Sequence, residues 1–391
     1  MAYDLGPYSY LFVDPDLAGK LYSPHENQGD GSLAAWKNYG GDKTWPAPQG
    51  WDNNEQWHGP PDPVLDTGRY VLDALSGTEE KAYLRMISPP DQRTGVQITR
   101  QFSIHRGSSR VIADLTFTNI SDRTIRWSIW DVIQLRAERK EENGHWQHDP
   151  NCIVTTPLNP QSPFPRGYNV MFGQEDNPQW QNDKERNHFI GRYLWEIGKV
   201  GIDSPDGWVA FSQGSEGYAF AELFDFEDGE EYPDDGVTVE CWTVGAGKVA
   251  DLDYGQTTIY LMETELLSPL RSIAPGETTT FTITWGVCRC PGPIIHANDT
   301  GCTAEQLKAA VSEGYVRLTG QFGVFDRGEL ELVWRSNGAE VVDRLQLGAV
   351  DPLTAVLIDR VLPLPARAVR VELRVTPNVD HKHNLLAAAD L

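Results

Sequence analysis

The chain has 391 residues, 40% of them hydrophobic and 23% charged, and 33 Lys+Arg stand against 56 Asp+Glu for a formal net charge of −23. That length exceeds what one hydrophobic core usually serves, so a large domain followed by a smaller one is expected. No apolar run approaches the roughly 18 residues that span a bilayer, and an acidic surface without a Lys/Arg stripe repels phosphate backbones, so neither a membrane nor nucleic acid is expected as a partner.

The opening stretch from Met1 to Leu17 carries neither the basic nor the apolar region of an export signal. The chain is therefore read as cytoplasmic, or as periplasmic or secreted where a leader has been removed. Next comes the most distinctive stretch of the sequence: Tyr39-Gly40-Gly41-Asp42-Lys43-Thr44-Trp45-Pro46-Ala47-Pro48-Gln49, then Trp57-His58-Gly59-Pro60-Pro61-Asp62-Pro63. The glycine pair permits a sharp bend and the prolines hold an extended path. A stiff loop presenting Trp45, Gln49, Trp57 and His58 loses little entropy on holding a ligand. Thirteen tryptophans occur in all, and Trp36, Trp45, Trp51, Trp57, Trp146 and Trp180 fall in polar, Gly/Pro-rich stretches. Such rings serve either as platforms for the C–H faces of a sugar or as packing lids.

Period-two alternation then dominates. Val111, Ala113, Leu115 and Phe117 alternate with Asp114, Thr116 and Thr118, and Phe281, Ile283, Trp285 and Val287 alternate with Thr280, Thr282 and Thr284. These are half-buried antiparallel strands. Turn chemistry at Asn119–Asp122, Ser204–Gly207, Ala274–Glu277 and Ser336–Gly338 separates the runs, so the class is all-β. Residues 141–187 show no clear period and read as an extended loop region.

In Val237-Thr238-Val239-Glu240-Cys241-Trp242-Thr243, Glu240 shares a face with Trp242, a carboxylate beside an aromatic platform. Glu263 and Glu265 share a face of the next strand about 7 Å apart, a separation that also fits the paired carboxylates of an inverting glycosidase. Each Glu has the alternative of lying on a solvated strand face. Cys288 and Cys290 are too close along one strand to bridge each other, but either could reach Cys302. His145, His148 and Asp149, or Cys288, Cys290, His296 and Cys302, are weak ligand patterns that lack paired CxxC spacing. No metal and no cofactor is expected.

Thr303 to Gly314 reads as a helix: Thr303 and Gln306 suit a capping box, Leu307, Ala310 and Val311 an apolar stripe, and Gly314 the terminating position. Beyond it, Val369, Val371, Leu373 and Val375 alternate with Arg370, Glu372 and Arg374. The expected division is thus a large antiparallel β-supersandwich over residues 1–300, a linking helix over 301–314 and a small β-sandwich over 315–391.

The Tyr39–Pro63 stretch, together with the blocks Tyr260–Leu270 and Ala274–Trp285, resembles an uncharacterised bacterial domain family related to the galactose mutarotase, or aldose 1-epimerase-like, superfamily. The resemblance covers roughly residues 10–290. It implies a mutarotase-like supersandwich whose concave face takes a saccharide, and it leaves the activity open, because the fold hosts epimerases, polysaccharide lyase and hydrolase domains, and plain binding modules. The epimerases use a Glu base and a His acid. On that resemblance Glu240, Glu263 or Glu265 is the candidate base, His58 the candidate acid, and Trp45, Gln49, Trp57 and Trp242 the candidate substrate contacts. The sequence departs from the epimerases in lacking their histidine pair in register with the sandwich strands: His58 lies in a loop, His105 next to Arg106, and His145 with His148 in the long polar stretch. A saccharide-binding protein is the expected function, with a carbohydrate-active enzyme as the alternative.

Overall fold

A computed structural model describes residues 3–6, 8–11, 38–249, 252–255, 259–378 and 385–391. Two large antiparallel sheets face each other across one core. The first has ten strands, running in space from Trp180–Asp183 through His188–Arg192, Cys152–Pro157, Trp208–Gln213, Tyr218–Phe224, Thr278–Arg289, Val111–Asn119, Val96–His105 and Lys81–Ile87 to Val71–Gly77. The second has seven: Tyr168–Phe172, Gly198–Ile202, Val239–Thr243, Leu261–Leu267, Ile125–Arg136 and Arg271–Ile273 in order, with Asp42–Ala47 also paired to Ile125–Arg136.

The alternation read from the sequence is the alternation of burial. Val111, Ala113, Leu115 and Phe117 point into the core with Phe281, Ile283, Trp285 and Val287, while Thr280 and Thr282 are exposed. The segment expected as a loop, 141–187, instead supplies the strands Trp146–His148, Cys152–Pro157, Tyr168–Phe172 and Trp180–Asp183. These are short, and Cys152–Pro157 is buried along its whole length, so no hydrophobic/polar period marks it.

Residues after His296 form their own pair of four-stranded sheets. One is ordered His296–Asn298, Gly301–Ser312, Tyr315–Val324, Val356–Pro363, and the other Val341–Val350, Gly328–Arg335, Arg370–Pro377, Leu385–Asp390. Their shared core holds Val316, Leu318, Phe322, Leu332, Trp334, Val371, Leu373 and Leu386.

The expected linking helix is not a helix. Gly301–Ser312 is a strand paired antiparallel to Tyr315–Val324, with Ser312 opposite Tyr315. The two residues between them, Glu313 (φ 48°) and Gly314 (φ 81°), are both left-handed, the geometry of a two-residue hairpin turn that follows the twist of the strands. A glycine that suits a helix end suits this turn equally, and a partner strand outweighs intrinsic helix propensity. The small sandwich accordingly begins near residue 296 rather than at 315.

Cys288, Cys290 and Cys302 meet in a buried cluster with Phe325 and Trp208 at the seam between the two sandwiches. All five cysteines are free thiols. Among the described residues no group of three or more His, Cys, Asp or Glu is placed to hold a metal ion.

Candidate functional site

The seven-stranded sheet turns one face to the core, carrying Ile129, Ile133, Val200, Val239, Cys241, Met262 and Leu266. Its other face is polar and aromatic. Lys199, Trp242, Glu263 and Gln134 stand directly opposite one another in one row across four strands, and Gly201, Glu240, Glu265, Val132 and Lys43 form the adjacent row across five. Side chains opposed in this way lie roughly 5 Å apart, so residues scattered from position 43 to 265 become neighbours. Over this face lies a cleft of about 480 Å³ whose lining includes Asn38, Lys43, Trp45, Gln49, His58, Trp130, Gln134, Met171, Phe172, Lys199, Trp242, Glu263 and Glu265. That volume is ordinary for a small-molecule site.

Lys199 organises the floor. Its Nζ lies 2.7 Å from Glu240 Oε2 and 3.0 Å from Glu265 Oε2, 4.3 Å from the centre of the Trp130 ring. The Trp130 indole N–H donates to the same Glu265 oxygen at 2.8 Å. Burial works to lower the lysine pKa, but the two carboxyl groups outweigh it and hold the ammonium above its ordinary value. One ammonium balances one carboxylate. Burial therefore pushes the Glu265 carboxyl well up, against the pull of Lys199 and with Glu240 adding to the rise.

Glu263 has a different environment. It is half-buried on the cleft wall, and one of its oxygens accepts from Gln134 Nε2 at 2.6 Å. Burial raises its pKa, while Lys43 and the Gln134 bond oppose the rise. Lys43 in turn donates to Asn38 Oδ1 at 2.8 Å and stands 5.4 Å over the Trp45 ring; its own pKa is lowered by burial. Glu263 and Glu265 are thus not an equivalent pair of carboxylates, although they share a strand face.

His58 reaches the cleft from the proline-rich loop. The loop is pinned by backbone bonds from Trp57 N to Pro48 O (3.0 Å) and from Gly50 N to Trp57 O (2.8 Å). His58 stacks on Trp57 at 5.7 Å between ring centroids, and its Nε2 lies 3.5 Å from Asp62. Asp62 is itself held by the backbone N–H groups of Val64 and Leu65 and by the Trp57 indole.

Of the residues singled out from sequence, the cleft brings together His58, Glu263, Glu265, Trp45, Gln49 and Trp242. Two are placed otherwise. Trp57 is fully buried behind Trp45 and His58, so it has no face to offer a ligand and serves as a packing lid. Glu240 is 2% exposed and does not line the cleft; it acts on Lys199 from behind. Trp45 is itself 5% exposed, with Lys43 over its ring, and so is not an open platform. Trp180 is a core residue, whereas Trp51 and Trp146 are exposed and do not line the cleft, although Trp51 directly follows the cleft residues Gln49 and Gly50; Trp36 lies outside the described residues.

Sequence reading overlooked Lys199, Trp130, Gln134 and Lys43. A lysine within Ile197-Gly198-Lys199-Val200-Gly201-Ile202, a run otherwise free of charge, was the available signal, since a buried strand admits a cation only with partners.

No protein-family model matches the chain, and no curated protein matches it in sequence. Among solved structures it is similar to YeaD from Salmonella typhimurium, at 10% identity and a TM-score of 0.43, over 73% of this chain and 82% of that one. It is similar to Slr1438 from Synechocystis sp. PCC 6803, at 11% identity and 0.42, over 72% and 86%. A galactose mutarotase-like protein from Lactobacillus casei is similar at 11% identity and 0.38, over 72% and 90%.

Proposed function

We propose that the cleft over the seven-stranded sheet binds a saccharide. The observation that carries this reading is the paired row Lys199, Trp242, Glu263 and Gln134 beside Trp130 and Trp45. It sets hydrogen-bonding groups of both polarities beside the half-buried rings of Trp242 and Phe172. A sugar needs such a mixture, with rings for its C–H faces and fixed amide, carboxylate and ammonium groups for its hydroxyls. The polar groups are held by one another before any ligand arrives, which reduces the ordering cost of binding.

A second reading, aldose 1-epimerase-like catalysis, is supported by the presence of His58 and Glu263 in the same cleft. Anomer exchange requires a base for the anomeric hydroxyl proton and an acid for the ring oxygen. Glu263 fits the base, being the least encumbered of the three glutamates, and His58 fits the acid. Titration of the intrinsic fluorescence with a panel of mono- and oligosaccharides tests binding, and flat titrations across the panel would remove the proposal. Polarimetry of freshly dissolved α-glucose and α-galactose tests catalysis. Acceleration abolished by Glu263→Gln, with binding retained, is the expected signature of the epimerase.

A further inference from the structure

Resting on the saccharide reading, we infer that the preferred ligand is an amino sugar carrying a protonated amine, rather than a neutral aldose or an acidic sugar.

Among the described residues the cleft has two ammonium groups, and both are engaged. Lys199 is clamped between Glu240 and Glu265. Lys43 donates to Asn38 and lies under the fields of Asp66 and, less strongly, Glu263. Against these two cations stand the three carboxyl groups of Glu240, Glu263 and Glu265, and the chain as a whole carries a net charge of −23. A uronate or a sugar phosphate entering here would lose its hydration beside buried carboxyl groups and, to find a cation, would have to compete with Glu240 and Glu265 for Lys199 or with Asn38 for Lys43.

A protonated amine meets the opposite situation. Glu263 engages Gln134 through one oxygen and stands on the cleft wall, so its other oxygen is available to form a charge-assisted bond. The aromatic wall open to a ligand is Trp242 with Phe172, packed 5.5 Å apart at a 39° tilt; Trp45 and Trp130 are buried beneath it, each with a lysine over its ring. Aromatic faces attract a cation most strongly where water is excluded. Trp130 already does so for Lys199. The cleft therefore combines the Glu263 carboxyl with the Trp242 and Phe172 rings, a pairing that recognises an ammonium group. Burial holds the Glu263 carboxyl above its ordinary range, so an arriving ammonium also draws it into the ionised form and releases protons to the buffer.

The test uses the whole chain with four hexoses of matched shape: glucose, glucosamine, N-acetylglucosamine and glucuronate. They are titrated by fluorescence and calorimetry at about pH 6, where the amine is protonated. Glucosamine is expected to bind roughly tenfold more tightly than glucose, with the advantage shrinking as salt is raised. N-acetylglucosamine, whose nitrogen is uncharged, should lose the advantage. Calorimetry in two buffers of different ionisation heat should show net proton release for glucosamine alone. Glu263→Gln should remove the preference, bringing the ratio of glucosamine to glucose affinity from roughly ten towards one whatever it does to the binding of both. Equal affinities for glucose and glucosamine, or tighter binding of glucuronate, would overturn the amino-sugar inference and leave the saccharide site standing. Failure of all four to bind, repeated with their oligosaccharides, would remove both.

Discussion

Lys199 and Trp130 converge on a single oxygen: Glu265 Oε2 lies 3.0 Å from the Lys199 ammonium and accepts the Trp130 indole N–H at 2.8 Å. With Glu240 on the far side of the lysine, the floor of the cleft is a buried cluster in which one ammonium serves two carboxyl groups. Removing one member of such a cluster leaves charge without a partner, and that makes its energetics measurable.

Lys199→Met should destabilise the protein by about 3–5 kcal/mol near neutral pH, because Glu240 and Glu265 then share a buried site without a cation. Both carboxyl groups would have to hold their protons, so the variant should become progressively less stable as pH rises above the ordinary carboxylate range. Urea midpoints at about pH 5 and pH 8 measure this. The gap between wild type and variant should widen at the higher pH, and the added change Glu240→Gln should narrow it. Parallel pH dependences would show that the cluster is not ionised as described.

Trp242 and Trp57 separate ligand contact from packing. Trp242 is half-buried on the cleft wall, and Trp242→Ala should weaken saccharide binding by about 0.5–1.5 kcal/mol beyond the lost contact area, with a small effect on stability. Trp57 has no exposed surface, so Trp57→Ala should cost about 3–5 kcal/mol of folding stability. Parallel denaturation curves and sugar titrations of the two variants distinguish these effects; equal losses of stability would contradict the assigned roles.

Behind the cleft, the three strands that supply Trp45, Trp130 and Glu265 also turn Thr44, Asp131 and Thr264 into the core, where Glu222 faces them from the opposite sheet. Burial raises the Asp131 pKa from 3.8 to about 7 against the opposing influence of Arg100, and burial pushes Glu222 well up with Asp131 adding to it. A carboxyl raised in the folded state binds protons more tightly there than in the unfolded chain. Its contribution is therefore complete below about pH 4 and is lost as pH rises through 7. Asp131→Asn should flatten the fall in stability between about pH 4 and pH 8 in thermal or urea unfolding, and an unchanged slope would refute the assignment.

In the small sandwich, Gly314 holds a φ of 81° at the tip of the hairpin. Gly314→Ala should cost about 1–2 kcal/mol, since a side chain pays for left-handed backbone. Glu313→Asn should be neutral or slightly stabilising, because Asn tolerates that conformation. Thermal melts of the two variants check the turn; a stabilising Gly314→Ala would argue against it.

The all-β class and the burial faces of strands such as Val111–Asn119 and Thr278–Arg289 were determined by the sequence alone, because a two-residue period leaves no choice as to which side chains meet the core. The same period placed Glu263 with Glu265, and Glu240 with Trp242, on common faces. What the period could not determine was which face becomes a cleft and who stands opposite whom. Lys199 entered the site only through its pairing with Trp242 and its reach to Glu240 and Glu265, and Trp57 left it because Trp45 and His58 cover its ring. Gly301–Ser312 carried a helical pattern and became a strand because Tyr315–Val324 lay alongside it. These outcomes depend on pairings between segments far apart in the chain, and the free energy of such contacts exceeds the few tenths of a kcal/mol per residue, about the scale of intrinsic propensity, by which a local sequence prefers one conformation.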